Sequence, residues 1–237
     1  MSIRKHIPDT ITSMNLLCGV VGVILTLQGR PDAGFMFMIL GAVFDFLDGL
    51  SARLLKASSG IGKELDSLAD MVSFGVLPSV MLFQAGGSGS LILKYFPLIL
   101  AAFSALRLAK FNLDERQHES FLGLPTPASA MVCGSLASYV HSVPGSFLAS
   151  WCAGPAFLPV LALVLGLLLV SEVPMFSMKF GVGKKAPGIE NLKRWIFLGL
   201  AVAAVAVTAL TGSNWALAVL LAFTGYILVN LAFACRK

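Results

Sequence analysis

The sequence predicts an all-α, polytopic membrane protein with about eight transmembrane helices. Of its 237 residues, 57% are hydrophobic and only 12% are charged, which is about half the charge of a typical soluble domain. The mean hydropathy is +0.87. Apolar runs of about 20 residues, the length needed to cross a bilayer, follow one another along the chain. We therefore expect a single integral membrane domain over residues 1–237.

The apolar runs define the spans in chain order, and turn-forming residues separate four pairs of neighbours. These turns are Gly29–Asp32, Gly86–Ser90, Ser142–Gly145 and Thr211–Asn214. The start of the sixth span is uncertain by several residues because Pro155 and Pro159 lie near it. The predicted spans are 11–28, 33–55, 66–85, 90–111, 124–143, 153–172, 193–211 and 214–234.

The distribution of positive charge predicts the orientation in the membrane. Only Arg30 and Lys94 fall at one set of span ends, and the other fifteen of the 17 basic residues fall at the opposite set. The positive-inside rule then places both termini on the cytoplasmic side of the membrane. We expect that membrane to be the cell (inner) membrane. The net charge of +5 reflects this asymmetry and does not indicate nucleic-acid binding. The fifteen residues are Arg4, Lys5, Arg53, Lys56, Lys63, Arg107, Lys110, Arg116, Lys179, Lys184, Lys185, Lys193, Arg194, Arg236 and Lys237.

Four aspartates lie near the predicted cytoplasmic ends of the second and third spans. Each costs ~2.5–3.5 kcal/mol at the centre of a membrane helix, so the group needs a compensating partner. Helical spacing puts them on two stripes, the first with Asp45, Asp48, Gly49 and Ala52 and the second with Gly62, Asp66 and Asp70. Facing stripes would enclose carboxylate oxygens, which suit Mg²⁺ or Mn²⁺, and these cations suit a bound diphosphate.

The run from Asp45 to Asp70 resembles the signature of the CDP-alcohol phosphotransferases. Their pattern is D-x2-D-G-x2-A-R-x8-G-x3-D-x3-D, and this chain matches it at every defined position. The resemblance implies the CDP-alcohol phosphotransferase fold. It also implies catalytic spans over about residues 1–135, with additional C-terminal spans at about 150–235.

The resemblance further implies a role for each residue of the motif. Two divalent ions, Mg²⁺ or Mn²⁺, would be held by Asp45, Asp48, Asp66 and Asp70, and Asp70 would also accept the proton of the incoming hydroxyl. The CDP-lipid would contact Thr12, Asn15, Asp48, Gly49, Ala52, Arg53 and Gly62. For Thr12 and Asn15, polar contacts between helices are the alternative. Two-metal chemistry is physically reasonable, because phosphoryl transfer depends mostly on positioning and charge neutralisation.

Three further segments resemble the integral-membrane phosphatidylserine synthase branch of this family: 7–19, 62–78, and 105–112 followed by 121–127. This resemblance implies transfer of a phosphatidyl group from CDP-diacylglycerol to L-serine, with release of CMP, by a homodimer among membrane lipids. Arg107 and Lys110 are three residues apart, and we expect them to face one way and bind lipid phosphates or the serine carboxylate. Ordinary positive-inside anchoring explains them equally well.

Other functions would leave different patterns. A phosphorylated acceptor, such as glycerol 3-phosphate or an inositol phosphate, should require more cations than Arg107 and Lys110, whereas a CDP-archaeol donor would give the same pattern. A cation transporter should spread its acids across the membrane depth within a repeated or discontinuous architecture. Here the acids gather at one leaflet, and a purely structural protein would not retain four of them. The sequence therefore favours an enzyme.

Overall fold

The computed structural model describes residues 6–56, 60–87, 90–113, 121–176 and 188–234, and these residues are mostly helical. The all-α prediction is confirmed. Part of the orientation prediction lies outside the described residues, namely the basic residues Arg4, Lys5, Arg116, Lys179, Lys184, Lys185, Arg236 and Lys237.

The N-terminal half forms four long helical segments. In order they are α1 (His6–Leu27), α2 (Pro31–Leu55), α3 (Gly60–Asp70) continuing through a π-helical segment (Met71–Val76) into α4 (Leu77–Ala85), and α5 (Leu91–Tyr95) continuing through a 3-10 turn (Phe96–Leu98) into α6 (Ile99–Leu113). Pro31 begins α2, where its missing N–H costs no hydrogen bond.

The described residues of the C-terminal half form five helices and two very short strands. They are β1 (Phe121–Leu122), α7 (Thr126–Ser142), α8 (Phe147–Ala153), α9 (Phe157–Val170), β2 (Pro174–Met175), α10 (Gly188–Thr211) and α11 (Trp215–Ala234). The strands pair antiparallel, Phe121 with Met175 and Leu122 with Pro174. In the chain, β1 lies between α6 and α7, and β2 lies between α9 and α10.

Among the described residues, six helical segments are long and apolar enough to cross a membrane, or seven if α8 and α9 form one broken span. The predicted polytopic architecture is confirmed, whereas the count of eight stays a prediction. The fifth predicted span, α7, has 17 residues. The sixth differs from its predicted start at 153, because α8 and α9 meet at 90° across a short break containing Pro155.

Helix α7 is the centre of the bundle. Nearly every residue from Ala128 to Tyr139 is buried, and α7 contacts α2, α4 and α11. Its sequence is rich in Ala, Ser and Gly, and such small side chains allow membrane helices to approach closely. By contrast, α10 exposes large apolar side chains such as Trp195, Val202 and Leu210. This distribution fits a bundle whose outer surface faces lipid.

The N-terminal helices pack so that one end of the bundle collects polar side chains. Helix α1 packs along α2 and also contacts α3, α4 and the π-helical segment. At the same end, Lys63 Nζ donates to the Asn112 carbonyl (3.3 Å), and Asn112 Nδ2 donates to Ser67 Oγ (2.8 Å). These bonds join the start of α3 to the end of α6, so four helices meet around the acidic motif.

Candidate active site

Three of the four motif aspartates converge. Asp45 and Asp48 lie in the last three turns of α2, and Asp66 lies in the second turn of α3. One carboxylate oxygen from each falls within 4.8 Å of those of the other two. Asp70, the last residue of α3, interacts electrostatically with all three. The two stripes expected from helical spacing therefore do face each other.

The converging side chains are suited to a hard divalent cation. All three offer oxygen ligands, which Mg²⁺ and Mn²⁺ prefer, and crowded carboxylates repel one another unless a cation lies among them. Gly49 follows Asp48 directly, and a Cβ there would meet no atom within 4 Å, so open space lies beside the cluster. The described residues could thus hold a metal ion and still admit a ligand next to it.

Helix α1 supplies neutral hydrogen-bond donors to two of the carboxylates. Thr12 Oγ1 donates to Asp48 Oδ2 at 2.6 Å, and both residues are buried. Asn15 Nδ2 donates to Asp70 Oδ1 at 3.2 Å, and Asn15 is fully buried. The structure places both residues against the acidic cluster, which agrees with the interhelical alternative. Their contact with the CDP-lipid stays a prediction.

The π-helical segment directly after Asp70 fixes α1 against the third span. Ser73 Oγ donates to the Asn15 carbonyl at 2.9 Å, and a Cβ on Gly19 would lie 2.5 Å from the same hydroxyl oxygen. Only glycine allows this approach. The wider π turn changes the helical register beyond Asp70, a feature that occurs often at functional sites. Sequence analysis missed Ser73 as a site residue, although a serine within an apolar span was the available signal.

The remaining predicted CDP-lipid residues lie on α2 and α3. Arg53 is exposed, and its Nε donates to the Gly49 carbonyl one turn earlier at 2.9 Å. Ala52 and Gly62 are half-buried. The Arg53 guanidinium therefore lies along α2 and points toward Gly49, the residue beside the open space. This position is compatible with the predicted approach to a diphosphate, which stays a prediction.

Arg107 and Lys110 do not face one way, so that expectation is wrong. Arg107 is buried, 8% exposed, and its Nη1 donates to Thr126 Oγ1 at 2.6 Å. Lys110 is exposed and lies 3.8 Å from the Glu172 carboxylate. Residues three apart on a helix differ by about 60° in direction, enough here for one side chain to point into the bundle and the other outward.

Arg107 belongs to the same polar region as the aspartates. Its guanidinium interacts electrostatically with Asp70. Among the described residues, its buried Nε has no hydrogen-bond partner, although Nη1 is bound to Thr126. A buried cation with an unsatisfied N–H is costly, and a planar carboxylate is the ligand that matches a guanidinium best. Thr126 therefore fixes the orientation of Arg107 beside the acidic cluster.

Comparison with known proteins supports the motif. The sequence model of the CDP-alcohol phosphatidyltransferase family matches residues 5–169. The CDP-diacylglycerol–serine O-phosphatidyltransferase of Mycobacterium leprae is 34% identical over 180 residues, which cover 73% of this chain and 58% of that protein. The enzyme of the same name from Bacillus subtilis is 35% identical over 143 residues, covering 58% of this chain and 78% of that protein.

An archaeal relative carries a different name. The archaetidylserine synthase of Methanothermobacter thermautotrophicus is 32% identical over 131 residues, which cover 54% of this chain and 56% of that protein. The aligned part of this chain thus spans less than two thirds of the M. leprae and M. thermautotrophicus proteins. The family match itself covers well over half of the chain and includes all four aspartates.

Proposed function

This chain belongs to the CDP-alcohol phosphatidyltransferase family, and from that premise we propose that it transfers a phosphatidyl group from CDP-diacylglycerol to L-serine, giving phosphatidylserine and CMP. The observation that carries the proposal is the convergence of Asp45, Asp48 and Asp66 with Asp70 beside them. The choice of serine is supported by the names of the relatives and by one buried, incompletely satisfied arginine near Asp70.

We infer that two divalent ions, Mg²⁺ or Mn²⁺, are held by Asp45, Asp48, Asp66 and Asp70. When bound, such ions would neutralise the diphosphate and the developing charge on the departing CMP. The supporting observations are the all-oxygen ligand set and the spacing of its oxygens. Thr12, by donating to Asp48, would keep that carboxylate in a fixed orientation, as outer hydrogen bonds commonly do for metal ligands.

Asp70 is suited to act as the general base. Asn15 donates to its Oδ1, so the other oxygen would take the proton of the serine hydroxyl. The serine oxygen would then form a bond to the lipid-side phosphorus, while the bond from that phosphorus to the bridging oxygen breaks and CMP leaves with the oxygen. The hydrogen bond from Asn15 would hold Asp70 in a productive geometry. A general base must first lie within hydrogen-bonding reach of the proton that it removes, and its pKa matters only once that geometry is met.

Arg107 is suited to bind the serine carboxylate. Its partner Thr126 holds one nitrogen, and its Nε remains available within the described structure. A guanidinium can present two parallel N–H groups to a carboxylate, so it would orient serine with its hydroxyl toward Asp70. Lys110 is exposed and is better placed for lipid headgroups than for the acceptor.

We place the active site at the cytoplasmic surface of the cell membrane, with both termini on that side. Support comes from the positive-inside pattern and from the position of the aspartates near the ends of α2 and α3. There a membrane-bound donor and a water-soluble acceptor could meet. The homodimer expected for the family also stays a prediction.

The decisive test of function is an acceptor panel. Purified protein with CDP-diacylglycerol and Mg²⁺ or Mn²⁺ should release CMP when L-serine is supplied. Glycerol 3-phosphate, inositol, inositol phosphate and choline should be poor acceptors at the same concentration, because the described site offers one buried cation rather than a phosphate-binding cluster. CMP release with glycerol 3-phosphate but not with serine would overturn the acceptor and leave the metal site standing. CDP-archaeol in a parallel series tests the alternative donor.

Arg107→Ala should raise the KM for serine about tenfold to a hundredfold, the range for losing a charge-assisted hydrogen bond. The KM for CDP-diacylglycerol should stay near the wild-type value. Lys110→Ala is the matched control, because it removes a cation on the same helix whose side chain points outward. Steady-state kinetics with each substrate varied in turn give both constants. If Arg107→Ala instead weakened donor binding alone, the arginine would hold a lipid phosphate.

A further inference from the structure

The last helix carries a polar clamp formed by Tyr226 and Asn230, both fully buried. Tyr226 Oη donates to the Phe176 carbonyl at 2.9 Å, and the Phe176 N–H donates to Asn230 Oδ1 at 3.0 Å. Asn230 Nδ2 in turn donates to the Tyr226 carbonyl at 2.9 Å. Two side chains of α11 therefore satisfy both backbone polar groups of Phe176, which follows β2 directly.

This clamp holds a stretch of non-helical backbone, whose polar groups have no hydrogen-bond partners within a helix. Buried backbone N–H and C=O groups outside helices need hydrogen-bond partners elsewhere in the fold. Beyond the two strands, the Gly123 N–H donates to the Val173 carbonyl at 2.9 Å, and the Leu124 N–H donates to the Leu168 carbonyl at 2.8 Å. Gly123 has φ +79°, and a Cβ there would lie 2.7 Å from two carbonyl oxygens, so the turn requires glycine.

The fixed backbone leads directly to the arginine of the active site. The Gly123 turn ends at Pro125, the residue before α7, and Thr126 is the first residue of that helix. Thr126 holds Arg107 through the 2.6 Å hydrogen bond. Helix α11 is thus connected to Arg107 through Phe176, the two paired strands and Thr126.

We propose that Tyr226 and Asn230 are positioning residues for the acceptor, holding Thr126 and Arg107 in the orientation that binds serine. The proposal rests on the proposed role of Arg107 in the reaction. Both residues lie beyond residues 5–169, the part of the chain that matches the family. In this proposal α11 supports the acceptor site from beyond that part of the chain, whereas the aspartates and their hydrogen-bond donors lie on α1, α2 and α3.

A purely structural clamp would behave differently from a positioning one. Loss of packing would reduce the amount of folded enzyme, or kcat, without selecting between substrates. Loss of positioning would act on the acceptor alone, because the donor and metal ligands lie on α1, α2 and α3. The ratio of the two KM values therefore separates the roles, and protein yield does not affect it.

The test uses full-length enzyme with CDP-diacylglycerol and Mg²⁺. Tyr226→Phe removes only the hydroxyl and keeps the ring against Phe176 and Phe197, whose centroids lie 4.9 and 5.8 Å away. Asn230→Leu removes both side-chain hydrogen bonds and keeps the number of side-chain heavy atoms, although the leucine is bulkier. The matched control is Thr208→Val, which deletes a buried hydroxyl on α10 that bonds only to its own helix, at Ala204 and Val205.

Each clamp variant should raise the KM for serine about tenfold, the scale for losing one or two buried hydrogen bonds. The KM for CDP-diacylglycerol should not change, and Thr208→Val should match wild type in both constants. Combining Tyr226→Phe with Arg107→Ala should add no further increase, because both changes would act through the same contact. If Asn230→Leu does not fold, Tyr226→Phe alone carries the comparison.

An unchanged KM for serine in Tyr226→Phe, or an equal rise in both KM values, would overturn the proposal. So would a fully additive effect with Arg107→Ala. Failure of the proposed function is a separate result, visible as wild-type enzyme that releases no CMP with serine. The same kinetic comparison would then use whichever acceptor supports release, and a selective rise in its KM would still show that the clamp positions the acceptor.

Discussion

Replacing Asp66 by Asn should reduce the rate of CMP release by about 10³-fold or more, because it removes one of three converging carboxylates from the metal site. The side chain keeps its shape, and an amide costs less than a carboxylate to bury in a membrane helix, so the folded yield should be maintained. Raising Mg²⁺ or Mn²⁺ should recover part of the rate, since the defect lies in metal affinity. The measurement is a metal-activation curve for CMP release.

Two control experiments accompany the Asp66→Asn measurement. Asp32→Asn is the matched control, because Asp32 is an exposed acid at the opposite end of α2 from Asp45 and Asp48, and this variant should keep wild-type activity. EDTA added to wild-type enzyme should abolish release, since without metal the diphosphate would lie beside four uncompensated carboxylates. CMP release that survives EDTA, or near-normal turnover by Asp66→Asn, would remove the two-metal interpretation.

Asp70→Asn should lower kcat by ~10²–10⁴-fold, the usual contribution of a general base, while CDP-diacylglycerol still binds measurably. Two features of Asp70 motivate this separation. It lies outside the set whose oxygens are within 4.8 Å of one another, and it receives a hydrogen bond from Asn15. An amide cannot accept the serine proton, so excess metal should not restore the rate.

Comparing Asp66→Asn with Asp70→Asn distinguishes a metal ligand from the general base. Donor binding and kcat are measured for Asp66→Asn and Asp70→Asn across the same metal concentrations, with Asp32→Asn as the unaffected reference. Partial recovery with metal in the first and none in the second would identify Asp70 as the base. If donor binding and rate fell equally in Asp70→Asn, the residue would be a metal ligand and nothing more.

Much of this protein follows from local sequence patterns. Apolar runs of about 20 residues define membrane helices because the bilayer leaves the backbone no other way to satisfy its polar groups, so most span positions follow from composition alone. The acidic motif is equally local. Fixed helical spacing puts Asp45 with Asp48, and Asp66 with Asp70, on one stripe each, and the short connection between α2 and α3 brings the stripes to the same end.

The remaining features depend on contacts between residues far apart in the chain. Nothing near Thr12 or Asn15 indicates that they donate to Asp48 and Asp70, across separations of 36 and 55 residues. The directions of Arg107 and Lys110 were predicted wrongly, because burial against Thr126 on a later helix decides them. The π-helical turn after Asp70 likewise lies where α1 packs closely against the third span.

The C-terminal region shows the same division. Its two apolar spans were evident from sequence, yet their connection to the active site was not. The clamp of Tyr226 and Asn230 on Phe176 acts across 50 and 54 residues, and its reason is physical: buried backbone outside a helix must find hydrogen bonds wherever the fold supplies them. Sequence alone therefore determined the helices and the acidic motif, whereas tertiary packing decided which polar side chains orient them.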